Sequence, residues 1–288
     1  MRKKLVVLLV CYMAFAAVAA MGEEPAGKPG NGTLNEVNGN EATVKSSYEL
    51  SQGGSLVFCG SVPSEKRKGV VLLCPGGAYV HLSQREGDLA APFFAREGWQ
   101  PAVVHYSLAK GKAVGMTPLQ QLGEAVSIAR KLFSGDRVVV AGFSAGGHLA
   151  CSLGVHWKTL GLERPDALIL GYPVVTAGTY THGITMRSLV GEGDRAFFSL
   201  ENFVTGDMPP TFLWHTVDDG DVPVQNSLML AEAMTRAGVP FEMHLFPQGA
   251  HGLSLAVPGV DDPATGRVAD AHVAHWFPLC LEWLEKIK

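Results

Sequence analysis

The chain has 288 residues, a formal net charge of −4, 47% hydrophobic and 17% charged residues. That balance supplies a full globular core and, with no basic cluster, speaks against nucleic acid as a partner. There is no His-Glu-x-x-His, no cysteine spacing of a zinc site and no glycine-rich segment ending in Lys-Ser or Lys-Thr. Metal-dependent hydrolysis and a phosphate loop are therefore disfavoured, and neither a metal nor a cofactor is expected.

Met1, Arg2, Lys3 and Lys4 precede an apolar stretch over 5–20 that ends on Ala17, Val18, Ala19 and Ala20. A basic start, a short apolar centre and a small-residue exit predict a secretory signal peptide over 1–20. A membrane anchor is the weaker reading, because a spanning helix needs about 20 apolar residues. Val10 before Cys11 disfavours lipid attachment, since a small residue belongs there. The mature chain is thus expected in the periplasm or outside the cell, with no membrane contact after signal removal. Residues 21–47, rich in Gly, Asn, Glu and Pro, read as a flexible leader. Residues 48–288 then form one domain.

Short apolar, β-rich runs lie at 55–59, 70–74, 101–106, 137–141, 167–170, 211–214 and 241–246. Between them, 119–133 places Leu122, Ala125, Val126, Ala129 and Leu132 at helical spacing, 225–237 does so with Leu228, Ala231 and Met234, and 268–287 reads as a closing helix. The alternation predicts an α/β fold, a mostly parallel central sheet with helices on both faces. Residues 175–208 interrupt it. They are either a small cap insertion over the carboxyl ends of the strands or a long crossover without a role. Cys59, Cys74, Cys151 and Cys280 follow the signal; their even number permits disulfides in an exported chain, but Cys74 and Cys151 sit where cysteine serves as a small hydrophobe.

The strongest chemical signal is Gly142-Phe143-Ser144-Ala145-Gly146, entered from a valine-rich strand and left through a helix-competent segment. This is a nucleophile elbow, which holds Ser144 on a strained strand-to-helix turn with its hydroxyl clear of the sheet. A serine hydroxyl needs a base, and the base needs an acid to orient it. His251 stands between glycines in a loop after the last strand run, whereas His148 lies on the helix after the nucleophile, pointing away, His215 and His244 lie in strands, and His272 and His275 in the final helix. For the acid, Asp219 is the first candidate and Asp218 the second; Asp221 is assigned to capping the turn that follows.

The oxyanion of a tetrahedral intermediate needs N–H donors. Ala145, after the nucleophile, offers one, and Gly77 and Ala78 in Pro75-Gly76-Gly77-Ala78-Tyr79 offer the others. Arg85 and Glu86 either brace this loop as a pair or form a solvated ion pair. Tyr79, His182 and Trp214 are candidate sugar contacts.

With these residues in place the chain resembles an α/β-hydrolase, in particular the small esterases similar to acetyl xylan esterases and feruloyl esterases of bacterial hemicellulose degradation. The resemblance runs from about residue 47 to the end and rests on the Pro75–Tyr79 loop, the Ser144 elbow, His215-Thr216-Val217-Asp218-Asp219 before Val222-Pro223, and Gly249-Ala250-His251-Gly252. The chain departs from many such relatives at Ala78, where a third glycine is usual, and at Pro75, where lipases often have histidine. The resemblance implies cofactor-free ester hydrolysis through an acyl-enzyme, and export points to acylated xylan or its oligosaccharides as substrate. A general short-chain carboxylesterase, a serine exopeptidase and a catalytically silent carbohydrate-binding module remain as alternatives, and the oligomeric state is left open.

Overall fold

The computed structural model describes residues 46–287. The signal peptide read over 1–20, and the leader up to residue 45, lie outside the described residues.

Strands β1 (Ser47–Glu49) and β2 (Ser55–Phe58) form an antiparallel edge, and β2 pairs antiparallel with β4 (Trp99–His105). Strands β3 (Gly69–Cys74), β5 (Val138–Phe143), β6 (Ala167–Gly171), β7 (Thr211–Thr216) and β8 (Phe241–Phe246) join β4 in parallel. The result is an 8-stranded sheet of order β1-β2-β4-β3-β5-β6-β7-β8. Strands buried on both faces read as unbroken apolar runs. In β3, Val70, Leu72 and Cys74 enter one core cluster while Val71 and Leu73 enter another.

The first cluster is closed by helices α2 (Thr117–Leu132), α3 (Ala145–Leu160) and α5 (Gln225–Ala237), through residues such as Leu122, Leu149 and Leu230. The second is closed by α1 (Ala91–Arg96) and α6 (Trp276–Lys286), through Phe94, Trp276 and Leu284. This is an α/β-hydrolase fold. All four cysteines among the described residues are free, and Cys74, Cys151 and Cys280 are buried in the core. None of the described helices is long and apolar enough to cross a membrane.

The architecture differs from the sequence reading in three places. A strand, β1, begins at Ser47, inside the expected leader; three residues are too few to show alternation. The six-residue α1 escaped for the same reason. The closing helix begins at Trp276 rather than 268, so His272 and His275 precede it. Pro278 sets that start: without an N–H, proline is tolerated in a first turn and not in a helix interior.

The inserted segment between β6 and β7 contains α4 (Gly183–Val190) and short helical turns at Ala196–Phe198 and Leu200–Asn202. Much of it packs against α3: Phe197 stacks on His156 at 4.1 Å, and the Phe198 carbonyl accepts from His148 Nε2 at 3.1 Å.

Candidate active site

At the end of β5 the chain turns into α3 through Ser144, whose φ of 53° and ψ of −119° are strained for a residue with a side chain. Its flanking glycines admit no substitution. A Cβ on Gly142 would lie 2.2 Å from the Gly146 carbonyl oxygen, and one on Gly146 would lie 2.0 Å from that of Cys74. The backbone of Ser144 is tied on both sides, its N–H donating to Gly171 O at 3.0 Å and its C=O accepting from Val174 N–H at 3.1 Å.

Across the carboxyl edge of the sheet, His251 Nε2 lies 2.8 Å from Ser144 Oγ and His251 Nδ1 lies 2.7 Å from Asp219 Oδ2. A carboxylate accepts only, so Nδ1 carries the proton and Nε2 accepts from the serine hydroxyl. The histidine loop is pinned along its length. Asp218 Oδ1 accepts from Gly249 N–H at 2.7 Å, Thr216 Oγ1 donates to Gly249 O at 2.8 Å, Arg267 Nε donates to His251 O at 2.9 Å and Arg85 Nη2 donates to Gly252 O at 2.6 Å. The Tyr172 ring meets the imidazole edge-on at 5.1 Å.

The side chain of Asp219 is buried and every oxygen is occupied. Oδ1 accepts from the N–H groups of Asp221 and Val222, each at 2.9 Å. Oδ2 faces His251 and also His215 Nε2 at 3.3 Å. Burial works against its charge, but the hydrogen bonds from His215, His251 and Val222 outweigh it and hold the carboxyl well below the usual carboxylate range. Asp219 thus caps its own turn, the role expected of Asp221, while Asp218 serves the histidine loop.

The loop after β3 is built in the opposite manner. Gly77, Ala78 and Tyr79 have φ of 121°, 56° and 59°, three successive residues on the left-handed side. A Cβ on Gly77 would come within 2.2 Å of the His81 carbonyl oxygen. The loop is anchored at its ends: Gly76 N–H donates to Glu86 Oε2 at 2.7 Å, Tyr106 Oη donates to Pro75 O, and Ala109 N–H donates to Tyr79 O at 2.7 Å. Among the described residues no acceptor takes the N–H of Gly77, Ala78 or Ala145.

Other expectations need correction. Trp214 is fully buried in β7, stacked on Trp276 at 5.1 Å, and is core rather than a sugar contact. Tyr79 is 1% exposed, its Oη 3.1 Å from His148 Nδ1, and it braces the loop from beneath. Arg85 and Glu86 do not act as a pair: Arg85 holds the histidine loop, whereas buried Glu86 accepts from Gly76 N–H and from Tyr172 Oη at 2.7 Å. The last of these candidates is His182. It precedes α4, half-buried, with Nδ1 2.8 Å from Thr185 Oγ1, and burial and the nearby His251 lower its pKa, though Asp221 and Asp219 oppose this. His215 and Tyr172 are the contributors that sequence reasoning missed, since their partners are fixed by the folded chain; Glu86 does brace the oxyanion loop, but without Arg85.

Residues 119–282 match the prolyl oligopeptidase family. The chain is 37% identical over 210 residues to the endo-1,4-beta-xylanase B of Butyrivibrio fibrisolvens, an alignment covering 66% of this chain and 33% of that protein, so it spans about a third of this relative's length. Its fold is similar to the acetyl ester-xyloside bifunctional hydrolase from Caldicellulosiruptor lactoaceticus, with a TM-score of 0.71, 33% identity and coverage of 82% of this chain and 88% of that one. It is similar too to the carboxylesterase Cest-2923 from Lactobacillus plantarum WCFS1, with a TM-score of 0.72, 26% identity and coverage of 83% and 95%.

Proposed function

We propose, since this chain belongs to the prolyl oligopeptidase family of α/β-hydrolases, that it is an exported serine esterase removing acetyl or other small acyl groups from xylan or its oligosaccharides. The observation that carries the reading is the continuous contact from Ser144 Oγ through His251 to Asp219, at 2.8 and 2.7 Å. Support for the substrate comes from the xylan-related relatives and for export from the start of the chain.

In this mechanism Ser144 Oγ attacks the ester carbonyl as His251 Nε2 takes its proton. The negative oxygen is received by the N–H groups of Ala145, Gly77 and Ala78, which the fold leaves open. His251 then returns the proton to the departing alcohol, and water, activated by the same imidazole, releases the acid from Ser144. Anionic Asp219 holds His251 in the required tautomer throughout. His182, kept neutral by burial, offers its free ring nitrogen to a sugar hydroxyl rather than a charge to an anion.

Acetate release from acetylated xylo-oligosaccharides tests this directly. Turnover there is expected; turnover only on longer-chain esters would make the protein a general carboxylesterase. An aminoacyl-amide assay run beside p-nitrophenyl acetate separates an esterase from a peptidase, and failure of both would favour a silent carbohydrate-binding module.

A further inference from the structure

Beneath Asp219 lies a second imidazole that the triad does not require. His215, in β7, is fully buried, and its Nε2 faces two acceptors, the Val222 carbonyl at 2.9 Å and Asp219 Oδ2 at 3.3 Å. Two acceptors on one side mean that Nε2 carries the proton. Its other nitrogen, Nδ1, lies 2.7 Å from Oγ of Ser227, a fully buried residue of α5. With Nε2 protonated in a neutral ring, Nδ1 must accept, so the serine hydroxyl donates to it. The contacts then run Ser144, His251, Asp219, His215, Ser227: a carboxylate between two imidazoles, each facing a serine hydroxyl. Only the Ser144 end reaches solvent, being 6% exposed while Ser227 is sealed.

We propose that His215, with its tautomer fixed by Ser227, is a positioning residue that sets how much of the Asp219 charge reaches His251. The inference deepens the esterase reading and rests on it. A carboxylate oxygen shared between two N–H donors divides its charge between them, and the share taken by His215 cannot also favour the protonated form of His251. The contact with Asp219 also fixes the Oδ2 direction from below, so that the acid cannot rotate away when the proton moves. The other titratable or charged groups around this assembly include Asp218 and Asp221 on the same turn, His182 from the insertion, Tyr172 against the His251 ring with Glu86 behind it, and Arg267 and Arg85 on the His251 and Gly252 carbonyls.

A structural role alone would also make His215 sensitive to substitution, so the test must read more than stability. In His215→Phe the donor is lost at similar volume; in His215→Gln the amide nitrogen can stand where Nε2 stood; Ser227→Ala releases only the tautomer. Rates on p-nitrophenyl acetate are normalised to active sites titrated with a fluorophosphonate, and kcat/KM is followed from pH 5 to 9. For His215→Phe a ten- to hundredfold loss in kcat per titrated site is expected, with KM within twofold. The acid limb should move to higher pH, because the undivided carboxylate charge favours protonated His251. His215→Gln should recover most of the rate and the position of the limb, and Ser227→Ala should show a smaller shift in the same direction.

An unchanged kcat per site and an unmoved acid limb in His215→Phe would overturn the proposal. If that variant fails to fold, an unchanged kcat per site and an unmoved acid limb in Ser227→Ala, at lowered thermal stability, would assign His215 a packing role and overturn it equally. Failure of the unmodified protein to label or turn over would bring down the esterase reading itself, and this inference with it.

Discussion

The turn that carries Asp219 and the loop that carries Gly77 and Ala78 leave the same edge of the sheet and treat hydrogen bonding in opposite ways. Every oxygen of Asp219 is occupied, by two backbone N–H groups and two imidazoles. In the Gly77 loop the ends are tied, through Glu86 and Tyr106, and the N–H groups between them are left open. One region is finished internally; the other is finished only by a ligand. An unmet backbone donor is costly when buried, so a loop that keeps such donors fixed by left-handed geometry is built for an acceptor arriving from outside. A carboxylate that must stay charged out of water needs its partners supplied in advance.

The sharpest way to break this comparison is at the acid. Asp219→Asn should keep the fold and lower kcat by about 10⁴-fold, because the neutral amide no longer fixes the His251 tautomer. Asp218→Asn, which touches only Gly249 N–H, should cost less than about tenfold by the order of a single hydrogen bond. Equal losses in the two variants, measured on p-nitrophenyl acetate, would mean that the acid is misassigned. On the opposite loop, Gly77→Ala should lower kcat by about 10²–10³-fold with little change in KM, the scale of losing one oxyanion donor. Its new methyl must push the backbone away from His81 O. An active Gly77→Ala enzyme would place the oxyanion elsewhere.

Glu86 links the Gly77 loop to the histidine loop, since it accepts from Gly76 N–H and from Tyr172 Oη, and that Oη in turn accepts from Ser254 N–H at 2.8 Å. Glu86→Gln leaves an amide NH₂ facing one of its two donors. A kcat loss of about tenfold together with a lower Tm is expected, on the scale of one buried hydrogen bond; loss of Tm without loss of kcat would reduce Glu86 to a structural residue.

The smallest effect lies beneath the open loop. His148 and His156, against the insertion, are pushed by burial from 6.5 down to about 4. Because their folded values are depressed, the unfolded chain binds protons first; stability is full above about 6.5 and is lost as the pH falls toward 4. Thermal melts should show a Tm lower by about 10 °C at pH 4.5 than at pH 7. A flat profile over that range would contradict the neutral assignment of both rings.

Much of this chemistry was legible before folding. The elbow announces itself because close backbone approach demands glycine two residues either side of Ser144, and His251 because glycines flank it after the last strand. Asp219 could be preferred to Asp218 by its distance from Val222, and the structure gives the reason: its Oδ1 closes a turn onto Asp221 and Val222 N–H. Trp214 and Tyr79 were misread because an aromatic near a site suggests a sugar platform, whereas β7 is buried along its whole length and the left-handed turn drives Tyr79 inward. The partners of His215 and Glu86 were illegible for another reason. His215 meets Ser227 across an intervening turn and Glu86 meets Tyr172 across 86 residues, so the pairings arise only from the assembled sheet.

The most direct test is fluorophosphonate labelling of the purified protein, read by intact mass and peptide mapping. One adduct per chain on Ser144 is predicted, abolished in Ser144→Ala and strongly slowed in Asp219→Asn. Labelling at another residue, or none in a folded protein, would contradict the account.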